Sequence, residues 1–450
     1  MGENDGAAQL DIGLARALSR VGIGKPENLS RLTGGATMES WLFSAGGKDF
    51  VLRRAPSLAF IEERPFGHQT EAEIIRRARE AGVTAPEVVV ELEEADGIGS
   101  GFVMRALPGT PDPRSILASA SPSQLVEQAA RDLARIHAIE KSELPADVPT
   151  LDYAEGVAKL REQFEEAGGD RPIIALGLRW LLDHIPEPID PVLNHGDYRL
   201  GNLLVEDSHL TGVLDWELAH FSDYHEDLAF GCMPVWRFGA YDRPALGLGS
   251  VEEYFAAYEA TGGRKVDPAR FRFWTIYRTV WWALGCLKNG KVWREGQDRM
   301  LERVVISRRT SEQELDLLLL LEEEWTGGNR GAPKRPGTPS SGVGEASPPE
   351  MIRAVSEWLA TIKDRMEGHD RFQLAVARNA LGIVERDWSV GAVNTSKDMA
   401  GSFLDDAPLD HDFVVGLLPA LRRMQLDKVE VDSPKYPSLA VARAKWIGDD

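Results

Sequence analysis

The sequence predicts an α+β protein with a β-rich N-terminal lobe, a mainly helical second lobe and a small all-α domain at its C-terminal end. Three patterns support this division. Short runs of β-branched and aromatic residues alternate with turn residues within residues 1–107. Apolar residues recur at helical spacing through much of residues 108–325. Residues 326–349, rich in Gly, Pro and Ser, read as a flexible linker before a helical segment at residues 350–450.

The bulk composition is that of a globular protein without a membrane segment. Of the 450 residues, 43% are hydrophobic and 27% are charged. No apolar run approaches the roughly 20 residues that a membrane-spanning helix needs, and the polar start is unlike a signal peptide. The net charge of −20 argues against a nucleic-acid partner, because it would repel a phosphate backbone. With Cys232 and Cys286 as its only cysteines, the chain is expected in a reducing, cytoplasmic compartment.

The most informative segment is residues 194–205, which reads Asn-His-Gly-Asp-Tyr-Arg-Leu-Gly-Asn-Leu-Leu-Val. It places Asp197 five positions before Asn202 on a predicted tight loop, because glycines provide flexible joints on both sides. The apolar end of the segment and residues 211–214 are predicted to pair as a hairpin that delivers Asp215 at its end. These three polar side chains are therefore expected to form one cluster.

A carboxylate, an amide and a second carboxylate are the groups that phosphoryl transfer on Mg²⁺ requires. One group accepts the proton of the substrate hydroxyl, and two oxygen ligands hold the metal against the nucleotide phosphates. The Asp-x4-Asn spacing also matches the catalytic loop of protein kinases. We therefore predict Asp197 as the catalytic residue and Asn202 and Asp215 as Mg²⁺ ligands. The alternative is a solvent-facing loop, since Asn and Asp favour turns.

His195-Gly-Asp-x4-Asn, followed downstream by Asp215-Trp-Glu, resembles the signature of the aminoglycoside phosphotransferase family of small-molecule kinases. Two motifs agree in order and separation, whereas a lone His-Gly-Asp would be weak. Within that family, the chain is similar to the branch found beside, or fused to, acyl-CoA dehydrogenases. The resemblance implies a protein-kinase-like bilobal fold and transfer of the γ-phosphate of ATP, or of GTP, to a substrate hydroxyl.

Two segments of the N-terminal lobe are predicted nucleotide contacts. Gly34 and Gly35 lie between β-like runs, and the backbone amides of such a hairpin could cover a triphosphate. Taken alone, a glycine pair is more often a plain turn. The strand that begins near Gly101 leads, by the resemblance, into the hinge between the lobes. Met104 and Ala106 lie in this hinge, whose backbone is expected to hydrogen-bond the adenine edge.

Arg53 closes a predicted strand, where the resemblance implies the residue that holds the α- and β-phosphates. Kinases usually have lysine here, and this branch commonly has arginine, whose planar fork also binds phosphate. The helix that opens at Glu71 offers the carboxylate expected to orient Arg53, with Glu73 as its main rival. The alternative for Arg53 is an exposed arginine at a strand end.

Three further residues are expected to support the site. His195 is predicted to fix the catalytic loop through a hydrogen bond, without transferring a proton. Asp227, at the start of a later helix, is predicted to brace the same loop through its carboxylate. Glu217 is expected to support the metal from the second coordination sphere.

The acceptor and the partners remain open at the level of sequence. The branch implies a hydroxyacyl-CoA or a hydroxy acid as the small-molecule substrate, with an acyl-CoA dehydrogenase as a pathway partner. The wider family implies an aminoglycoside or another amino alcohol. A catalytically inactive nucleotide-binding scaffold is the third alternative. Residues 350–450 resemble a domain of unknown function behind kinases of this branch, with docking, homodimer formation or covering of the acceptor site as expected roles.

Overall fold

The computed structural model describes residues 3–32, 38–55, 64–118, 121–262, 264–325, 331, 347–390, 396–404 and 409–448 of the chain. Contacts divide the chain into two compact units. One unit comprises Met1–Leu151 and Pro188–Phe271, and the other comprises Asp152–Glu187 and Arg272–Asp450. The boundaries predicted at residues 107, 325 and 349 separate two lobes, a linker and a helical domain. The contact-based units do not test these boundaries, which stay predictions.

Among the described residues, the strands lie in the first unit and form three antiparallel sheets. A five-stranded sheet has the order β1-β2-β3-β5-β4, with β1 (Glu27–Arg31), β2 (Glu39–Ala45), β3 (Lys48–Ala55), β4 (Val88–Glu91) and β5 (Ser100–Arg105). Two small sheets follow, in which β6 (Val192–Asn194) pairs with β9 (His220–Ser222) and β7 (Leu203–Glu206) pairs with β8 (His209–Val213). The β7–β8 pair is the hairpin that the sequence predicts ahead of Asp215.

The helices account for most of the remaining chain. In chain order they are α1 (Glu3–Arg20), α2 (His68–Glu80), α3 (Pro113–Leu117), α4 (Pro122–Ile136), α5 (Tyr153–Glu166), α6 (Pro172–Asp183), α7 (Tyr224–Cys232), α8 (Val251–Gly262), α9 (Pro268–Arg294), α10 (Leu301–Arg308), α11 (Thr310–Leu321), α12 (Pro348–Thr361), α13 (Gly368–Val390), α14 (Lys397–Leu404), α15 (His411–Asp432) and α16 (Pro437–Trp446). Several begin with proline, whose fixed φ suits the first helical turn. This distribution of strands and helices confirms the predicted α+β class.

A first hydrophobic cluster joins α1 to the five-stranded sheet. Leu10, Leu14 and Leu18 recur at helical spacing and are buried with Phe43 and Phe50 of the sheet. The burial of this leucine stripe fixes α1 against the sheet that carries Arg53.

A second cluster, also in the first unit, supports the predicted catalytic loop. It joins α2, α4, α7 and α8 with buried residues of the loop itself, including Tyr198 and Leu200. The hydroxyl of Tyr198 donates to the backbone oxygen of Ala129 in α4 over 2.8 Å. The loop is thus anchored to the helices of this cluster by apolar packing and by a buried hydrogen bond.

The second unit is all helical within the part of the chain that the structure describes. Its α11 packs against α6, α15 and α16, and Leu315 and Leu318 on α11 are fully buried. Across all the described residues, no helix combines the length and the apolarity that crossing a membrane would require.

Candidate active site

The predicted catalytic loop leaves β6 in a conformation that only glycine tolerates at one point. Gly196 has a φ of +81°, and a Cβ there would lie 2.2 Å from the backbone oxygen of Leu218. Next to it, Nδ1 of the buried His195 accepts from the amide of Asp197, and Nε2 donates to the oxygen of Leu214. Burial also lowers the pKa of His195. The ring is therefore neutral and occupied on both nitrogens, so that it holds the loop in place.

Asp227, in α7, accepts hydrogen bonds from two consecutive amides of this loop. Its Oδ2 lies 2.6 Å from the nitrogen of His195, and its Oδ1 lies 2.9 Å from that of Gly196. Burial opposes its charge, but the contact with His137 and the loop amides overcome burial and lower the pKa of Asp227. A buried, ionised carboxylate thus braces the loop.

Asp197 and Asn202 are in direct contact. Nδ2 of Asn202 donates to the carboxylate Oδ2 of Asp197 over 2.6 Å and to its backbone oxygen over 2.9 Å. Arg199 binds the same carboxylate with two nitrogens, at 2.7 and 3.1 Å, and stacks over Trp236. Burial raises the pKa of Asp197 in spite of Arg199. Sequence reasoning missed Arg199, although an arginine two residues after Asp197 was a visible signal.

Asp215 follows β8 in a strained backbone conformation. Its φ is +68°, a region that costs a non-glycine residue about 1–3 kcal/mol. The amide before it, that of Leu214, donates to the backbone oxygen of Asn202 over 2.8 Å. This bond places Asp215 beside the Asp197–Asn202 pair. The three residues of the predicted cluster are therefore brought together.

Arg53, on β3, pairs with Glu71 and not with its rival. Nε of Arg53 lies 3.2 Å from Oε1 of Glu71, whereas Glu73 pairs with Arg76 and Arg77 on its own helix. The Arg53 side chain is only 13% exposed, unlike an arginine at a solvated strand end.

Arg53 also binds the carboxylates that follow β8. Its Nη2 donates to Oδ1 of Asp215 over 2.5 Å and to Oε2 of Glu217 over 2.8 Å. Burial works against the charge of Asp215, but Arg53 overcomes it and lowers the pKa of Asp215. Burial and the charge of Asp215 together raise the pKa of Glu217 to about 7. Glu217 was predicted to support a metal from the second coordination sphere, and in the structure its carboxylate binds Arg53.

Of the predicted nucleotide contacts, Met104 and Ala106 lie within the described residues. Gly34 and Gly35 lie outside them. Met104 lies within β5, opposite Val51 of β3. The amide of Ala106 donates to the backbone oxygen of Asp49 over 3.0 Å, so that it is already engaged in the sheet. Contact of Met104 and Ala106 with adenine stays a prediction.

The donor set around Asn202 and Asp215 is of the type that Mg²⁺ takes. An amide oxygen and carboxylate oxygens are hard ligands, which suit this ion. Burial and the nearby charge of Asp215 raise the pKa of Glu217, and a bound cation would relieve the repulsion between the two carboxylates. Within the described ranges, no group of three or more His, Cys, Asp or Glu residues has the geometry of a metal site. The amide of Asn202 would therefore be needed for such a site.

A family model described as the phosphotransferase enzyme family, APH, matches residues 28–274 of this chain. That range contains the predicted catalytic loop, the β7–β8 hairpin, and Arg53 with its carboxylate partners. The chain belongs to the APH phosphotransferase family. It is thus a member of the phosphotransferase family of small-molecule kinases, as its motifs predict.

One relative of this APH-family chain is the mouse protein acyl-CoA dehydrogenase family member 10. The two are 29% identical over 254 residues, which is 52% of this chain and 24% of the mouse protein. The chain thus spans about a quarter of the length of that curated relative.

The chain is also similar to solved structures. One, from Ralstonia eutropha and provisionally designated an aminoglycoside phosphotransferase, has a TM-score of 0.56 at 19% identity, and covers 69% of this chain and 98% of its own. A macrolide 2'-phosphotransferase from Brachybacterium faecium has a TM-score of 0.47 at 22% identity, and covers 63% of this chain and 93% of its own. The Ralstonia structure confirms the predicted kinase-like fold.

Proposed function

We propose that this chain is a Mg²⁺-dependent kinase that transfers the γ-phosphoryl group of ATP or GTP to the hydroxyl of a small molecule. The observation that carries the proposal is the direct contact between Asp197 and Asn202, with Asp215 beside them, in a chain of the APH family. Arg53 and Glu71 extend this set of contacts from the other side. The site thus combines a proton acceptor, oxygen ligands and a cation for the phosphates.

Asp197 is the proton acceptor in this mechanism. Its carboxylate orients the acceptor hydroxyl and takes its proton while the hydroxyl oxygen bonds to the γ-phosphorus. The bond from that phosphorus to the bridging oxygen breaks, and the nucleoside diphosphate leaves. Asn202 and Arg199 fix the carboxylate, because both donate to its oxygens. His195 takes no proton, since both of its nitrogens are engaged.

Arg53 holds the phosphates, and Glu71 orients Arg53. To reach a phosphate, Nη2 of Arg53 exchanges its carboxylate partners, Asp215 and Glu217, for phosphate oxygens. Asp215 is then free to act with Asn202 as an oxygen ligand. Mg²⁺ bound there would neutralise charge on the phosphates and align them for transfer.

The acceptor that we propose is a hydroxyacyl-CoA or a related hydroxy acid. The similarity to the mouse acyl-CoA dehydrogenase family protein supports this class. Phosphorylation would turn the hydroxyl into a leaving group for a later elimination. An acyl-CoA dehydrogenase would then be the pathway partner.

Amino alcohols, including aminoglycosides, are the second acceptor class. The net charge of −20 supports them, because an acidic protein attracts cationic substrates. For residues 350–450 we propose docking or homodimer formation.

The proposal is tested by Mg²⁺-dependent nucleotide consumption with a panel of hydroxyacyl-CoAs, free hydroxy acids and amino alcohols. Asp197→Asn should lower kcat by about 10²–10⁴-fold, because it removes the proton acceptor and keeps the shape of the side chain. Asp207→Asn is the matched control. Asp207 is exposed in the β7–β8 turn with a φ of +47°, which asparagine tolerates.

Each acceptor class gives a different result. Turnover of a CoA ester that Asp197→Asn abolishes and Asp207→Asn preserves supports the proposed acceptor. Turnover of amino alcohols alone selects the second class. Nucleotide binding without turnover of any acceptor contradicts the kinase proposal and favours a nucleotide-binding scaffold.

A further inference from the structure

Arg64 is a second arginine beside the cluster formed by Arg53, Glu71, Asp215 and Glu217, called here the Arg53 cluster. Sequence reasoning missed Arg64. Its Nη2 lies 2.7 Å from Oε2 of Glu71 and 3.5 Å from Oε2 of Glu217. Arg53 binds the other oxygen of Glu71, so that the two arginines share one carboxylate. The Arg64 side chain is 10% exposed and Glu71 is 1% exposed. The pair is therefore a buried feature of the site.

Arg64 has hydrogen-bond donors that its surroundings leave without a partner. Within the part of the chain that the structure describes, its Nε and Nη1 are buried without a hydrogen-bond partner, and so is Nε2 of the neighbouring His68. A buried donor without a partner costs about 1–3 kcal/mol, so that native proteins keep few of them. Unpaired donors on a guanidinium are a reason to expect an anionic acceptor.

The electrostatics on this side of the cluster also favour an anion. His68 begins α2, and its Nδ1 lies 2.8 Å from the hydroxyl of Ser100. Burial and the charges of Arg64 and Arg53 lower the pKa of His68 to about 3. The two arginines thus create a positive potential at His68, although Glu71 lies between them.

We propose that Arg64 is a second phosphate-binding residue, which with Arg53 grips the polyphosphate chain of the nucleotide. The inference rests on the proposed function and adds a residue to its nucleotide site. Two guanidinium forks suit a polyphosphate, which presents several oxygens to donors that are fixed in a plane. Glu71 sets the spacing of the two forks because it binds both.

Arg64 also solves a problem of charge that the proposed mechanism creates. When Nη2 of Arg53 binds phosphate oxygens, Arg53 shares its positive charge between the phosphates and Glu71, which remains buried. An isolated buried carboxylate is costly. Arg64 stays bound to Oε2 of Glu71 and keeps that charge compensated, so that Nη2 of Arg53 is able to exchange its carboxylate partners for phosphate oxygens.

The test is a calorimetric titration of ATP, inorganic tripolyphosphate, adenosine and coenzyme A into the full chain. Arg64→Gln should weaken binding of ATP and tripolyphosphate by about 10–100-fold, the size expected for a lost charge-assisted hydrogen bond. Binding of adenosine should not change. The affinity of Arg64→Lys for ATP and tripolyphosphate should lie between those of the wild type and Arg64→Gln, because lysine keeps the charge and lacks the planar guanidinium fork.

Arg54→Gln is the matched control for charge. Arg54 neighbours Arg53 and is 14% exposed, and its donors are used by Glu39 and by the backbone oxygen of Ile98. Its loss should leave the ratio of tripolyphosphate to adenosine affinity unchanged. Thermal unfolding of each variant separates a folding defect from a binding defect.

The outcomes of these titrations distinguish a failure of this inference from a failure of the proposed function on which it rests. A wild-type chain that binds neither ATP nor tripolyphosphate overturns the proposed function and, with it, the role of Arg64. Wild-type binding that Arg64→Gln leaves intact, or that weakens equally for adenosine, overturns the inference alone. Loss of coenzyme A binding with intact ATP binding also overturns it, because the anion would then belong to the acceptor.

Discussion

Two fully buried glutamates, one in each unit, are both held by two cations. Glu71 in the first unit binds Arg53 and Arg64. Glu322 in the second unit binds Nε of Arg422 at 2.9 Å and Nζ of Lys445 at 2.7 Å. Their exposed fractions are 1% and 0%. The two sites are therefore alike in burial and in the number of counter-ions.

They differ in what surrounds the ion pairs. At Glu322, the indole nitrogen of Trp446 donates to both carboxylate oxygens over 2.9 Å. At Glu71, the cation Arg53 is shared with Asp215 and Glu217, whose side chains are 32% and 30% exposed. At Glu322, the buried side chains of Arg422 and Trp446 hold the carboxylate between helices, whereas at Glu71 the buried cation Arg53 also binds two other carboxylates and is able to change partners. We infer that Glu322 serves folding and propose that Glu71 serves ligand binding.

The largest effect on stability is expected from Glu322→Gln. It removes the carboxylate that Arg422 binds in a buried site, and breaking such a buried ion pair costs about 3–5 kcal/mol. Glu71→Gln should cost less than half of that, because Arg53 keeps Asp215 and Glu217. Urea unfolding of the two variants measures both values. Equal losses would show that the two glutamates have the same structural role, and the comparison would fail.

A smaller effect concerns the dependence of stability on pH. His68 has a pKa of about 3 in the folded chain and about 6.5 when unfolded. As the pH falls from about 6.5 towards 3, the unfolded chain binds a proton that the folded chain does not. Stability should therefore fall with decreasing pH, by up to about 1.4 kcal/mol per pH unit from this group.

His68→Asn should flatten this slope by that amount, as measured by urea unfolding between pH 6.5 and about 4. His209→Asn, at an exposed position of β8, is the control and should leave the slope unchanged. An unchanged slope in His68→Asn would mean that neither burial nor the two arginines lower the pKa of His68 in the folded chain.

The parts of the site that the sequence predicted are those with local signals. Asp197, Asn202 and Asp215 are close in the chain, and a hairpin with clear β-like runs joins them. Strand and helix patterns placed Arg53 and Glu71 on adjoining elements. Glu71 was preferred to Glu73 from the sequence, and in the structure the two point to different sides of α2.

The parts that sequence reasoning missed depend on contacts without periodicity. Arg64 lies between a strand and a helix, where no repeat indicates which side chain turns inwards. Contacts across more than a hundred residues are equally hidden. Asp316 of α11 accepts hydrogen bonds from the hydroxyls of Tyr436 and Ser438. All three residues lie in the second unit.

The most direct test of the account is the affinity for ATP in the presence of Mg²⁺, measured by calorimetry on four proteins. These are the wild type, Glu71→Gln, its matched control on the same helix, Glu73→Gln, and Glu322→Gln. We predict that Glu71→Gln weakens binding by about 10–100-fold, because Arg53 loses the carboxylate that orients it. The other two variants should bind as the wild type does. Wild-type affinity in Glu71→Gln, or an equal loss in Glu73→Gln, would contradict the account.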